Sequence, residues 1–180
     1  MRPEESNHDP LVSLARKAVE TYVREGRYLN PEEVALSDDA APPGAGVFVS
    51  LHRPDGSLRG CLGTIAATRP RLEEEIVANA VAAATRDPRF PPLSPEELEE
   101  LHLSVDVLHP PEEVRGLEDL DPERYGIIVR TEDGRQALLL PRLEGVDTAE
   151  KQLHLTCRKG GIHPSRDRYR LYRFESVRHE

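Results

Sequence analysis

The stretch VFVSLHRPDGSLRGCLGTI, residues 47–65, carries the strongest fold signal in this chain. Two apolar-rich runs, residues 47–53 and 58–65, flank the dipeptide Asp55-Gly56. Such a dipeptide between two runs of this kind is typical of a β-hairpin, because both central residues of a type I′ turn take positive φ. The stretch therefore predicts two antiparallel strands joined by a two-residue loop.

That loop fixes the predicted register and with it the two faces of the hairpin, because side chains alternate between faces along a strand. The register pairs Arg53 with Leu58, His52 with Arg59, Leu51 with Gly60 and Ser50 with Cys61. The core face then carries Val47, Val49, Leu51, Leu58 and Leu62. The opposite face carries Ser50, His52, Arg59 and Cys61.

The rest of the chain adds helices and further strands without a regular strand–helix alternation. Helical spacing of apolar residues runs from Pro10 to a stop at Gly26 and again over residues 71–85, and Ser94 begins a capping box. Strands are predicted over 103–108, 125–131, 135–140 and 169–177, with a helix from Asp147 to about Lys159. The pattern predicts a single α+β domain over residues 10–178, built from antiparallel hairpins with flanking helices, after a frayed segment at residues 1–9.

The amino-acid composition disfavours several classes of function. The net charge of -9 and the 4% aromatic content disfavour a nucleic-acid binder, which needs a basic stripe or stacking rings. No apolar run is long enough to span a membrane, and the first residues do not resemble a secretory signal. The two cysteines, Cys61 and Cys157, form no disulfide framework, so a reducing cytoplasm is the expected location. No second Cys/His pair stands at ligand spacing, and the sequence predicts neither a metal nor a cofactor.

The polar hairpin face mixes a thiol, an imidazole, a guanidinium and a hydroxyl. A cation beside Cys61 favours its thiolate, and His52 lies diagonally within side-chain reach as a base. The glycines at 60 and 63 leave room for a ligand or for another backbone. The plainer alternatives are a structural Cys61, glycines that let a helix pack on the sheet, and a solvated His52–Arg59 pair.

The hairpin also resembles the hallmark segment LRGC[IL]GT of the AMMECR family, whose bacterial members are called AmmeMemoRadiSam system protein A. The matching residues are Leu58-Arg59-Gly60-Cys61-Leu62-Gly63-Thr64. Further pieces match in order, among them DPRFPP at 87–92, LSVDVL at 103–108, YGIIV at 125–129 and CRKGG at 157–161. One departure is Gly160-Gly161, where the family usually has Ala-Gly.

The resemblance implies an α+β fold with no agreed reaction and no agreed cofactor. It also implies a shared pathway or complex with a Memo-like protein and a radical SAM protein, whose genes tend to be neighbours in prokaryotes. Two hypotheses follow. The first is an enzyme or enzyme subunit that acts on a small, anionic substrate through catalytic candidates Cys61, His52 and Arg59, with ligand-binding candidates Gly60, Gly63, Thr64 and Ser50. The second is a non-catalytic interaction or ligand-binding module. Self-association of the chain stays open.

Overall fold

The computed structural model describes residues 9–34, 36–37 and 40–180. It confirms the predicted α+β class, with helices packed against antiparallel strands. The strands are shared between two four-stranded sheets, and the chain divides into two compact units. The first unit holds residues 1–108 and 177–180, and the second holds residues 109–176.

The first unit contains two helices, α1 (Pro10–Glu25) and α2 (Leu72–Thr85). Its sheet is formed by β1 (Ala45–His52), β2 (Leu58–Ala66), β3 (His102–Leu108) and the last strand of the chain, β8 (Ser176–His179), in the order β2-β1-β3-β8. Val47, Val49 and Leu51 on β1 are fully buried against the apolar side chains of both helices. Burial of this aliphatic face is the main force that holds the unit together.

The hairpin forms as predicted, but its loop and part of its register differ. Gly56 takes φ 82° and donates its N–H to the Arg53 carbonyl, while the Arg53 N–H bonds to the Ser57 carbonyl. Asp55 has no positive φ, so the loop has three residues and is not a type I′ turn. His52 consequently pairs with Leu58, and the predicted pairings of His52 with Arg59 and of Arg53 with Leu58 are wrong.

A β-bulge at Arg59 then restores the predicted register. Between the pair His52–Leu58 and the pair Leu51–Gly60, β2 advances by two residues while β1 advances by one. The extra residue in the loop is thereby compensated, and Ser50 lies opposite Cys61 as predicted. Val49 lies opposite Leu62, on the other face from Cys61.

The second unit consists of β4 (Glu112–Val114), β5 (Gly126–Thr131), β6 (Gln136–Leu139), α3 (Ala149–Lys159) and β7 (Tyr169–Phe174). Its sheet has the order β4-β7-β5-β6. The core of the unit joins Ile127 and Val129 of β5 to Cys157 of α3 and Leu171 of β7. The predicted strand at 169–177 is therefore two strands, one in each sheet.

Two helix starts differ slightly from expectation. Of the predicted frayed segment 1–9, residues 1–8 lie outside the described residues. Asp9 is the N-cap of α1 and accepts a hydrogen bond from the Leu11 N–H at 2.8 Å. Thr148, one residue after the expected Asp147, caps α3 and accepts the Lys151 N–H. Short 3-10 turns lie at Pro31–Glu33, Pro95–Glu100 and Leu117–Asp119, and the second has the predicted capping box of Ser94 and Glu97. Within the described residues, no helix combines the length and apolarity needed to cross a bilayer.

Candidate functional site

Cys61 lies on β2 with its thiol half-buried, on the face of the sheet opposite the helices. Ser50, directly across on β1, donates its hydroxyl to the Cys61 Sγ at 3.2 Å. The Cys61 backbone N–H donates to the Asp87 carboxylate at 2.9 Å. Ser50 therefore contacts Cys61 through the thiol, and Asp87 holds it through the backbone N–H.

Asp87 and Arg89, in the DPRFPP segment after α2, form a tight ion pair beside this thiol. The Arg89 guanidinium donates through Nε and Nη2 to both Asp87 oxygens, at 3.0 and 2.8 Å. These hydrogen bonds, helped by the Cys61 N–H and opposed by burial, hold the pKa of Asp87 well below its usual range. The same pair raises the pKa of Arg89, and the charge of Cys61 contributes to that rise. Arg89 is thus a permanent cation close to the thiol.

A second guanidinium, that of Arg178, lies on the same face of the sheet and adds positive charge to the surroundings of the thiol. Arg178 on β8 donates to both oxygens of Asp106 at 3.0 Å, and Asp106 is only 2% exposed. This ion pair raises the pKa of Arg178, with smaller contributions from Glu180 and from Cys61. Asp106 lies opposite Phe48 on β3, so it shares the face of Ser50 and Cys61. We call Cys61, Ser50, Arg89 and Arg178 the thiol cluster.

Arg59 has different partners from those predicted. Arg59 is the bulge residue and is 3% exposed. Its guanidinium donates hydrogen bonds to both carboxylate oxygens of Glu97, at 2.7 and 3.0 Å. A third donor reaches the Pro91 carbonyl at 3.0 Å. Arg59 thereby ties the edge of β2 to the segment after α2.

The remaining predicted ligand-binding residues divide between the two faces. Gly60 lies on the helix face, where an added Cβ would stand 2.2 Å from the Ala83 carbonyl oxygen of α2. Thr64 pairs with Val47 on the same face and donates its hydroxyl to the buried Glu75 carboxylate. Gly63 lies opposite Phe48, on the face of Cys61, and an added Cβ would meet the Phe48 ring. Only Ser50 and Gly63 therefore share the face of the thiol.

His52 also lies on the thiol's face, two residues along β1 from Ser50, and lines a cleft at the end of the strand. Burial lowers the pKa of His52 below its ordinary 6.5, and the positive charge of Arg178 lowers it further. The imidazole is consequently neutral near pH 7 and can serve as a base or as a hydrogen-bond donor. Cys61 does not line this cleft.

Sequence reasoning found Cys61 and Ser50 but missed Arg89 and Arg178 as their neighbours. Arg89 stands in the DPRFPP segment, where the pair of Asp87 and Arg89 suits either a structural turn or an anion clamp, and no local pattern marks Arg178. Within the described ranges, no three His, Cys, Asp or Glu side chains are grouped so that they could hold a metal ion.

Comparison with known proteins supplies the family. The AMMECR1 family model matches residues 12–179. A protein of Thermotoga maritima is 48% identical over 171 residues, covering 95% of this chain and 97% of its own length. A Clostridium acetobutylicum protein is 40% identical over 172 residues, but the match spans only 36% of that longer protein. Archaeal relatives include one from Thermococcus gammatolerans at 44% identity, covering 86% of this chain and 78% of its own.

A solved structure has the same fold. The crystal structure of an uncharacterised protein from Pyrococcus horikoshii matches with a TM-score of 0.80 at 34% identity, over 93% of this chain and 88% of that one. Because matching relatives occur in both bacteria and archaea, the family does not by itself identify a bacterial source.

Proposed function

Because the chain belongs to the AMMECR1 family, whose model spans nearly all of it, we propose that Cys61 in the hallmark segment is the nucleophile of an enzyme acting on a small anionic substrate. The observation that supports this most is the thiol cluster. A half-buried Cys61 with a hydroxyl on its sulfur stands in the field of two guanidiniums, Arg89 and Arg178.

The cations favour the reactive form of the thiol. A positive charge near a cysteine stabilises the thiolate, which is the nucleophile, and the Ser50 hydroxyl donates to the same sulfur. The thiol proton passes to solvent, and the sulfur then forms a bond to an electrophilic carbon of the substrate. The bond to the leaving group breaks as that group takes its electron pair.

Arg89 is also placed to select an anion. Its side chain is 56% exposed, whereas its partner Asp87 is 2% exposed. The exposed guanidinium can meet a carboxylate or phosphate of the substrate without giving up its bond to Asp87.

Alkylation kinetics test this proposal on the intact chain. Iodoacetate and iodoacetamide differ in charge, and mass spectrometry of the peptides assigns the label to Cys61. We expect Cys61 to react at pH 7 at least about tenfold faster than a cysteine in an unstructured peptide, since flanking cations increase the thiolate fraction. Arg89→Gln should slow both reagents and should slow iodoacetate more.

Arg124→Gln is the matched control, because Arg124 is an exposed arginine paired with Glu175 in the second unit. It should leave both rates unchanged. A Cys61 that reacts no faster than the free peptide, or an Arg89→Gln variant with the wild-type ratio of the two rates, would overturn the proposal.

One observation favours the second hypothesis, a non-catalytic binding module. Both guanidiniums of the thiol cluster already hold carboxylates, Asp87 and Asp106, and the two ion pairs are neutral overall. In that case the polar face recognises a ligand or a partner protein, such as the Memo-like or radical SAM neighbour implied by the resemblance. Slow alkylation combined with capture of the purified Memo-like protein would support this alternative.

A further inference from the structure

The segment DPRFPP, residues 87–92, holds the guanidinium of Arg89 on two of its sides. Nε and Nη2, which form one edge of the guanidinium, donate to the two oxygens of Asp87 at 3.0 and 2.8 Å. The Cζ of Arg89 lies over the Phe90 ring, 5.6 Å from the ring centroid. The forked ion pair and the cation–π contact together fix the orientation of the guanidinium.

One carboxylate oxygen joins this guanidinium to the backbone of Cys61. Asp87 Oδ2 accepts the Cys61 N–H at 2.9 Å and Nη2 of Arg89 at 2.8 Å. Asp87 Oδ1 accepts the backbone N–H and Nε of Arg89, both at 3.0 Å. Because Asp87 is only 3% exposed, these donors satisfy its carboxylate in place of water. A displacement of Asp87 would therefore move Arg89 relative to Cys61.

The second edge of the Arg89 guanidinium, formed by Nη1 and Nη2, is available to a ligand. Within the described residues, Nη1 has no hydrogen-bond partner, and the side chain is 56% exposed. A carboxylate or a phosphate can accept two parallel N–H bonds from this edge while Asp87 keeps the other edge.

Arg59 has the opposite arrangement beside the same aromatic ring. Its Cζ lies 5.9 Å from the centroid of Phe90, and its Nε and Nη2 donate to both oxygens of Glu97. Its Nη1, however, donates to the Pro91 carbonyl at 3.0 Å, and the residue is 3% exposed. The two guanidiniums make the same fork but differ at the second edge, which is bonded in Arg59 and open in Arg89.

We infer that Asp87 and Phe90 are positioning residues for Arg89, and that its Nη1–Nη2 edge binds the carboxylate or phosphate of the substrate beside Cys61. The inference rests on the proposed function for what happens to the bound substrate, but the binding step needs no reactive thiol. The pair of Asp87 and Arg89 is neutral overall, so the anion is selected by directed N–H donors and not by an excess of charge. Binding in the millimolar range is therefore expected.

An NMR titration of the 15N-labelled full chain at constant ionic strength tests the binding step. Acetate and inorganic phosphate are added separately, and the anion that saturates at the lower concentration identifies the group that the edge prefers. That anion should shift the Arg89 Nε–H and the Cys61 amide together. The Arg59 Nε–H is the internal control and should not move, because its second edge is bonded to Pro91. No saturable shift at Arg89 with either anion, or equal shifts at Arg59, would overturn the inference.

Asp87→Asn separates positioning from a purely structural role. The variant keeps an acceptor for the Cys61 N–H but loses half of the fork to Arg89, so anion binding should weaken by about tenfold. Loss of the negative charge should also favour the thiolate and raise the rate of Cys61 with iodoacetamide, while the ratio of the iodoacetate rate to the iodoacetamide rate falls. A purely structural Asp87 would lower the melting temperature without this opposite change in rate and ratio.

Asp133→Asn is the matched control, because Asp133 forms the same Asp-x-Arg pair with Arg135 in the second unit. It should change neither the anion binding nor the rate ratio. Phe90→Leu should lower the ratio and Phe90→Tyr should keep it, since an aromatic ring supports the guanidinium. Wild-type anion binding and a wild-type rate ratio in Asp87→Asn would overturn the inference. Slow alkylation of Cys61 with intact anion binding at Arg89 would instead refute the proposed function alone.

Discussion

Cys61 and Cys157 occupy opposite chemical surroundings. Cys61 is half-buried among polar groups, whereas Cys157 is 1% exposed in the core of the second unit, where burial raises the pKa of its thiol. We therefore expect a thiol reagent to modify one cysteine in the native chain and two in the denatured chain. Equal titres with and without prior reductant would show that both thiols are reduced, as predicted for a reducing compartment. Modification of both cysteines at similar rates in the native chain would contradict the structure.

Substitution of the two cysteines should also change the free energy of unfolding by different amounts. Cys61→Ser should change the free energy of unfolding by less than about 1 kcal/mol, because a half-exposed hydroxyl keeps its contact with Ser50 and with solvent. Cys157→Ser buries a hydroxyl among Ile127, Val129 and Leu171 and should cost about 2 kcal/mol. Urea unfolding measures both. A larger loss for Cys61→Ser than for Cys157→Ser would mean that Cys61 has a structural role.

Glu75 is a buried carboxylate satisfied entirely by donors. It is 1% exposed and accepts hydrogen bonds from the Thr64 and Thr68 hydroxyls and from the N–H groups of Thr68 and Arg69. A run of acidic residues on a helix, such as residues 73–75, usually marks a solvated face, but Glu75 lies inside the core. Glu75→Gln turns an amide group toward these donors and should cost roughly 2 kcal/mol in urea unfolding, while Glu74→Gln, its neighbour on α2, should cost little.

His52 should give the chain a pH-dependent stability. The charges that act on it are Arg178 and His102, which lower its pKa, and Glu180 and Asp106, which raise it; burial is the largest cause and lowers it. Below the unfolded value of 6.5, the unfolded chain takes up a proton that the folded chain resists, so stability falls as the pH falls. His52→Gln should flatten this slope below pH 6.5. Equal slopes for wild type and His52→Gln would refute it.

At the level of elements, the β1–β2 hairpin shows what a local pattern can and cannot predict. Aliphatic alternation was sufficient for the strands and for the buried face of β1, whereas Ser50 lies opposite Cys61 because the bulge offsets the longer loop. The three-residue loop was not predicted, because Asp-Gly also suits a type I′ turn and Pro54 fits the first corner of a longer loop. The bulge at Arg59 was not predicted either, since it offsets the extra loop residue and places Arg59 against Glu97, which is distant in the sequence.

The link between Arg59 and Glu97 should therefore stabilise the edge of β2. Arg59→Lys keeps the charge but loses the forked pair of bonds to Glu97 and the donor to the Pro91 carbonyl. We expect a cost of about 2 kcal/mol in urea unfolding, against a few tenths for Arg130→Lys on the exposed face of β5. A negligible loss of unfolding free energy would mean that the pair of Arg59 with Glu97 contributes little to stability.

Helix α2 approaches β2 closely at Gly60. An added methyl would stand 2.2 Å from a backbone oxygen, and no side-chain rotation relieves that contact. Gly60→Ala should therefore cost roughly 2–3 kcal/mol and weaken the docking of the helix. Gly60 thus follows the simpler of the two roles considered for it, which is to let a helix pack on the sheet.

At the scale of the whole molecule, the net negative charge predicts that the chain does not bind DNA. With a net charge of -9, the chain should not retard duplex or single-stranded DNA at low micromolar protein and about physiological salt. An electrophoretic shift that disappears at higher salt would contradict this expectation.

The division into two sheets lies beyond the reach of the sequence pattern. Most strands were recognisable locally, but β4 was not predicted, and the partners of β4 and β8 depend on contacts between residues far apart in the chain. The same limit applies to the thiol cluster. The charge of Arg178 acts on Cys61 only because β8 joins the same sheet as β2.

The split of the last predicted strand sets an order of events during synthesis on the ribosome. β7 belongs to the second unit, and residues 177–180 return to the first. The first unit, although made first, keeps the outer edge of β3 bare and the Asp106 carboxylate without its cation until the final residues emerge. A chain truncated after residue 175 should therefore hold a native second unit and an unfinished first one. Limited proteolysis of the truncated chain would show β3 cleaved before β5.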